Sequence, residues 1–153
     1  MPLKAVIIGA GHRALTYASY AERAPEELEI VGMADPNPLR RQQTGDRFGI
    51  PHDRRFETAE ALSAVEKFAD CAINGTMDHQ HVETSLLLLK AGYDLLLEKP
   101  FATGLDEMWE LVESAREHGR KVMICHVLRY APFYYAIRER VAAEDIGTVI
   151  NVQ

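Results

Sequence analysis

Short, continuously apolar runs alternate along the chain with longer stretches of mixed polarity. Five runs stand out, Ala5–Ile8, Leu28–Ala34, Ala69–Ile73, Tyr93–Leu97 and Val122–Cys125. Continuous rather than alternating apolarity predicts strands covered on both faces, as in a parallel sheet. Arg54–Phe56 predicts a further, weakly marked strand. The stretches between carry helix punctuation. The first helix is expected from about Arg13 to Ala24, stopped by Pro25. The second opens with Asn37 as cap and Pro38 in its first turn, and ends at Gly49 with Pro51 beyond. Thr58 is expected to cap a short third helix. Asp78 is expected to cap the next, which carries four leucines and ends at Gly92. Thr103 with Asp106 reads as a capping box for a helix ending at Gly119. A last helix, about Pro132 to Ala143, leads through Gly147 to "TVINVQ", which reads as a closing strand.

This alternation predicts an α/β fold: a doubly wound, mainly parallel sheet with helices on both faces and right-handed crossovers. In such sheets ligands lie at the carboxyl ends of the strands, so the polar residues there are the candidates for chemistry. The chain has 153 residues, 47% of them hydrophobic and 26% charged, with a formal net charge of -6. A net negative surface argues against bulk binding of nucleic acid or an anionic membrane. No run reaches the roughly 20 apolar residues of a membrane helix, and the apolar start is too short for a signal peptide. Cys71 and Cys125 lie in apolar stretches without CxxC or metal-ligand spacing, as expected of reduced thiols in a cytoplasmic protein.

The first strand ends in "GAGHRA". Gly9, Gly11 and Ala14 stand in the G-x-G-x-x-G/A spacing, which serves a tight turn, a close approach of backbone to a diphosphate, and tight helix–strand packing. The loop and helix start, Gly9, Ala10, Gly11, His12 and Arg13, are the candidate cradle, with free N–H groups holding the anion. Asp35 ends the second strand, at the place of a carboxylate that accepts hydrogen bonds from a ribose diol. A 2′-phosphate would be repelled there, so NAD(H) is expected over NADP(H). Arg40 and Arg41 nearby could serve a 2′-phosphate, but read rather as solvated helix charges. A methyltransferase, which also uses a glycine turn with a strand-end acid, remains an alternative at this point.

Other strand ends add candidates. Thr76, Asp78, His79 and His81 cluster where the fourth apolar segment meets its helix. Residues at i and i+2 of a helix start do not share a face, so a metal site is not expected. Polar contacts of Thr76, Asp78 and His81 with a cofactor are expected instead. Glu98 and Lys99 follow three leucines, and Pro100 stops the strand. A half-desolvated lysine there could exchange protons with a substrate hydroxyl, or be an exposed strand-end charge. His126, Arg129 and Tyr130 could line the same cleft.

Together these residues resemble the amino-terminal domain of the Gfo/Idh/MocA oxidoreductase family. The similarity runs from Lys4 to about Val149 through the glycine turn, "ADPNP", "GTMDHQH", "AGYDLLLEKPFA" and "HVLRYAP". The resemblance implies a Rossmann domain followed by a largely antiparallel domain, and hydride transfer between a nicotinamide cofactor and a sugar- or cyclitol-like compound. It places Gly9, Gly11, Asp35, Thr76 and His81 at the cofactor, Glu98 at the nicotinamide ribose, and Lys99 at the substrate as the candidate catalytic residue. Met77 stands where the family usually has proline, and Ala14 where glycine is commoner. Residues 1–126 are expected to form the dinucleotide-binding domain, and 127–153 a connecting helix and the first strand of a second domain. The resemblance implies that the acid–base pair belongs to that second domain, so none of the residues here is assigned to it. Two other readings stay open: a non-catalytic NAD-binding or redox-sensing module, and an NAD-dependent glycosidase of the same family. An uncovered tail strand would pair with another copy, which predicts a homo-oligomer.

Overall fold

The computed structural model describes residues 1–151. Six strands form one sheet in the order β3-β2-β1-β4-β5-β6, and every neighbouring pair is parallel. They are β1 Leu3–Ile8, β2 Leu28–Ala34, β3 Arg55–Phe56, β4 Cys71–Asn74, β5 Asp94–Leu97 and β6 Val122–Ile124. The order reverses between β1 and β4, so a crevice opens there at the carboxyl edge of the sheet.

One face carries α4 (Ala59–Ser63), α5 (His81–Lys90) and α6 (Leu105–Glu117). Leu62, Leu88, Leu89 and Leu111 pack with Val6, Leu95 and Leu97 into its core. The other face carries α1 (His12–Ala18), α2 (Tyr20–Arg23) and α3 (Pro38–Arg47), over a core of Ala5, Ile7, Ile30, Met33 and Ile73. Strand residues contribute to both cores, which explains their unbroken apolarity. On this second face α1 and α2 leave parts of β4, β5 and β6 uncovered. A hollow of about 780 Å³ is left there over Cys71, Ile73, Leu96 and Met123.

The expected elements stand, with local corrections. The first helix is two: α1 ends at Ala18 and α2 starts at Tyr20, because the chain tightens at Ser19, whose carbonyl accepts from Glu22 N–H three residues on. Asn37 caps α3 as expected, its side-chain oxygen accepting from Leu39 N–H and Arg40 N–H. Thr58 likewise caps α4 through Ala61 N–H. Asp78 caps nothing. It opens a 3₁₀ turn, Asp78–Gln80, that leads into α5. The acid that caps α6 is Glu107 rather than Asp106. Its carboxylate accepts from Thr103 N–H, Thr103 Oγ1 and Gly104 N–H, because Gly104, not Thr103, is the cap residue. A last helix, α7 (Pro132–Ala142), is exposed along its length. The closing strand is not formed over residues 148–151, and Val152 and Gln153 lie outside the described residues. Among the described residues no helix is long and apolar enough to cross a membrane.

Candidate functional site: the glycine crevice

The crevice at the β1/β4 reversal holds a cavity of about 360 Å³, within the range of small-ligand sites. Gly9, Gly11, Asp35 and Thr76 meet in its lining, as their positions at strand ends predicted. Gly9 continues the β1–β2 ladder, donating its N–H to Ala34 O at 2.9 Å, and then turns with φ +76°. A Cβ there would stand 3.0 Å from the Gly75 carbonyl and the Thr76 backbone. Gly11 differs. A Cβ on it would meet only the Gly75 carbonyl at 3.9 Å and otherwise open space. No packing requirement forces glycine at Gly11, so the space left bare is available to a ligand.

The third small position also has its reason. A Cβ on Gly75, at the end of β4, would lie 2.8 Å from the Ala14 Cβ. Helix α1 thus rests directly on the β4 turn, and two small residues, Ala14 and Gly75, make the approach possible. Only one of the pair is in the glycine fingerprint, so reading the sequence missed Gly75.

Asp35 is 3% exposed. Its Oδ2 accepts from Ala10 N–H at 2.7 Å and its Oδ1 from Asn37 N–H at 2.8 Å. Ala10 therefore has no free N–H to offer, and its side chain is buried. His12 and Arg13 are exposed at the start of α1. Their N–H groups precede Leu15, whose N–H to Gly11 O at 3.1 Å is the first helical bond, so they have no helical carbonyl of their own. The charged residues lining the cavity are Asp35, Glu57, Glu60 and Glu83 against Arg40. Arg41 turns inward and donates from Nη1 to the Asp35 carbonyl at 2.6 Å, so it is a structural contact rather than the solvated charge expected of it.

The loop after β4 is held by Asn74, which the sequence reading overlooked. Its amide donates to Thr84 Oγ1 and Ser85 Oγ, each at 2.9 Å, and its carbonyl accepts from Thr76 Oγ1 at 2.9 Å. Thr76 reaches the cavity from this anchored position. His81 does not. It is 1% exposed, with Nδ1 2.6 Å from Pro100 O and Nε2 3.2 Å from Thr76 O. Its ring ties the loop after β4 to the loop after β5. Asp78 is exposed and outside the cavity lining.

Beyond the cavity, β5 is followed by Glu98 and Lys99. Glu98 is 5% exposed. Its Oε1 accepts from the Tyr17 hydroxyl at 2.9 Å, with Arg13 Nε 3.7 Å away, and its Oε2 accepts from the Lys99 N–H. Burial first, and then the Glu98 carboxylate, push the Tyr17 hydroxyl well above its ordinary pKa. Tyr17 carries no motif, so its role came only from contact across the fold. Lys99 is exposed, and its ammonium has no acidic partner within 4 Å among the described residues. His126 and Arg129 are exposed as well. Arg129 lies with Leu128, Tyr134 and Arg138, away from the glycine crevice. Among the described residues no three His, Cys, Asp or Glu side chains gather as a metal set.

The chain is similar to known proteins along nearly its whole length. The chain is 30% identical to the trans-1,2-dihydrobenzene-1,2-diol dehydrogenase of Sus scrofa, over 100% of this chain and 45% of that one. It is 36% identical to the 1,5-anhydro-D-fructose reductase of Ensifer adhaerens, over 94% of this chain and 42% of that one. It thus spans less than half the length of these relatives. The WlbA dehydrogenase of Bordetella pertussis, solved with NADH and UDP-GlcNAcA, shares the fold: TM-score 0.86 at 19% identity, over 96% of this chain and 44% of that one. The sequence model of the GFO_IDH_MocA oxidoreductase family, described as an NAD-binding Rossmann fold, matches residues 3–126, and the chain belongs to that family.

Proposed function

We propose that this chain is the cofactor-binding half of an NAD(H)-dependent oxidoreductase acting on CH–OH groups of sugar- or cyclitol-type compounds. Residues 1–126 form its dinucleotide-binding domain, and 127–153 lead into a substrate domain. The observation that carries this reading is Gly11, bare of side chain beside open space, between the turn at Gly9 and the cavity closed by Asp35. The N–H groups of Gly11, His12 and Arg13 would take the diphosphate, and the cavity would take the adenosine. Its lining of four carboxylates against one guanidinium favours NAD(H) over NADP(H), because a 2′-phosphate would enter a negative field. The bound nicotinamide would supply the hydride acceptor or donor. Lys99 would hold or exchange a proton with the substrate hydroxyl, set in place by Glu98. The relatives named above act on ring compounds bearing hydroxyl or carbonyl groups, which supports that substrate class. A cytoplasmic location and self-association belong to the same reading.

Lys99 is exposed, and hydride transfer needs a closed, water-poor site. That favours, as second reading, cofactor binding without turnover in these 153 residues. Fluorescence titration with NADH and NADPH, followed by turnover assays across sugars and cyclitols, tests both readings. NADH is expected to bind more tightly than NADPH. Equal affinities would remove the NAD preference, and no binding of either would remove the reading.

A further inference from the structure

We propose that Asp35 is a positioning residue, a tie that holds the glycine loop and the start of α3 at a fixed separation before any cofactor arrives. The inference rests on the cofactor-binding reading above, but it concerns the free protein. Every polar group of Asp35 is already partnered inside the chain. Its N–H donates to Phe56 O at 3.2 Å, and its carbonyl accepts from Arg41 Nη1 at 2.6 Å. Its carboxylate accepts from Ala10 N–H at 2.7 Å and from Asn37 N–H at 2.8 Å.

The geometry gives these bonds a purpose. The β1–β2 ladder has Ile8 opposite Ala34 as its last register pair, followed by Gly9 N–H to Ala34 O. β2 ends at that rung, and the next carbonyl, that of Asp35, accepts from Arg41 Nη1 instead. The Asp35 carboxylate supplies the missing acceptor for Ala10, one rung beyond the sheet. Its other oxygen shapes the turn into Asn37, which in turn caps α3. Gly9 and Gly11 form one wall of the cavity, and Pro36, Asn37 and Arg40 another. A single buried carboxylate therefore joins both walls. Bonds from N–H groups to an ionised acceptor are stronger than neutral ones, which suits a tie that must hold a turn of positive φ in place.

Amide hydrogen exchange of the cofactor-free protein tests this. In Asp35→Ser the shorter side chain no longer reaches the Ala10 amide, while its hydroxyl can still accept from Asn37 N–H two residues on. Ala10 exchange is expected to quicken by roughly 10- to 100-fold, the worth of a bond to a charged group. NADH affinity should fall with it. Asp35→Asn keeps one acceptor oxygen, and should return one of the two amides, Ala10 or Asn37, toward the wild-type rate. Wild-type exchange at Ala10 in Asp35→Ser would overturn the proposal. Where Asp35→Ser does not fold, unchanged exchange at both amides of Asp35→Asn would do so. If the wild-type chain binds no NADH, the functional reading fails while the exchange rates still judge the tie.

Discussion

The carboxyl edge of the sheet holds two neighbourhoods that differ in how finished they are. Where β1 and β2 end, the backbone of Gly9, Ala10, Asp35 and Asn37 is bonded internally, and the cavity walls are fixed. Where β5 and β6 end, Glu98 is buried and satisfied, but Lys99, His126 and Arg129 stand exposed, and α7 beyond them is exposed throughout. Binding of an anion by backbone N–H groups needs only a rigid turn, which one domain can build. Chemistry at a lysine would need exclusion of water, which the described residues of the second neighbourhood, exposed at Lys99, His126 and Arg129, do not supply. On the function proposed above, the first neighbourhood would bind as it stands, while Lys99 in the second would need an enclosure.

The most severe way to break the contrast is Gly9→Val. A β-branched residue at φ +76° would be strained, and its Cβ would meet the Gly75 carbonyl and Thr76 backbone at 3.0 Å. We expect a loss of about 3 kcal/mol or more, combining strain and backbone overlap, seen as a fall in denaturant midpoint. Gly11→Val sharpens it. Its Cβ enters open space, so stability should change by less than about 1 kcal/mol, while NADH binding in a fluorescence titration disappears. A variant that binds NADH as the wild type does would show that the diphosphate lies elsewhere.

The smallest effect falls on the second neighbourhood and depends on pH. Burial, and then the Glu98 carboxylate, raise the Tyr17 pKa. Burial raises Cys125 as well, and Tyr17 partly offsets this. Both groups are neutral in their protonated forms, and both folded values lie above the unfolded ones. The stability they contribute is thus fully present below about pH 9, near the ordinary thiol value, and drains away as pH rises through the folded values. Chemical denaturation between pH 8 and 11 should show a falling midpoint, and Tyr17→Phe should flatten the fall. An equally steep fall in Tyr17→Phe would remove Tyr17 from that account.

How much of this was legible beforehand depended on the range of the interaction. Asn37 and Thr58 were readable as caps because their partners lie two or three residues on. Thr103 was readable as part of a box, though the choice between Asp106 and Glu107 turned on which residue became the cap. His81 was expected at the cofactor, and the fold turns both its ring nitrogens to backbone carbonyls instead. Tyr17 and Glu98 stand 81 positions apart, and nothing in the sequence near either names the other.

The order of apolar runs, the helix punctuation and the spacing of Gly9, Gly11 and Ala14 determined the layered sheet and the crevice, since periodicity and turn chemistry act over a few neighbouring residues. Only the tertiary structure decided that Ala14 rests on Gly75, that Asp35 spends its oxygens on Ala10 and Asn37, and that Lys99 stands uncovered. Those outcomes follow from strand order and register, which bring distant residues together and which no local pattern encodes.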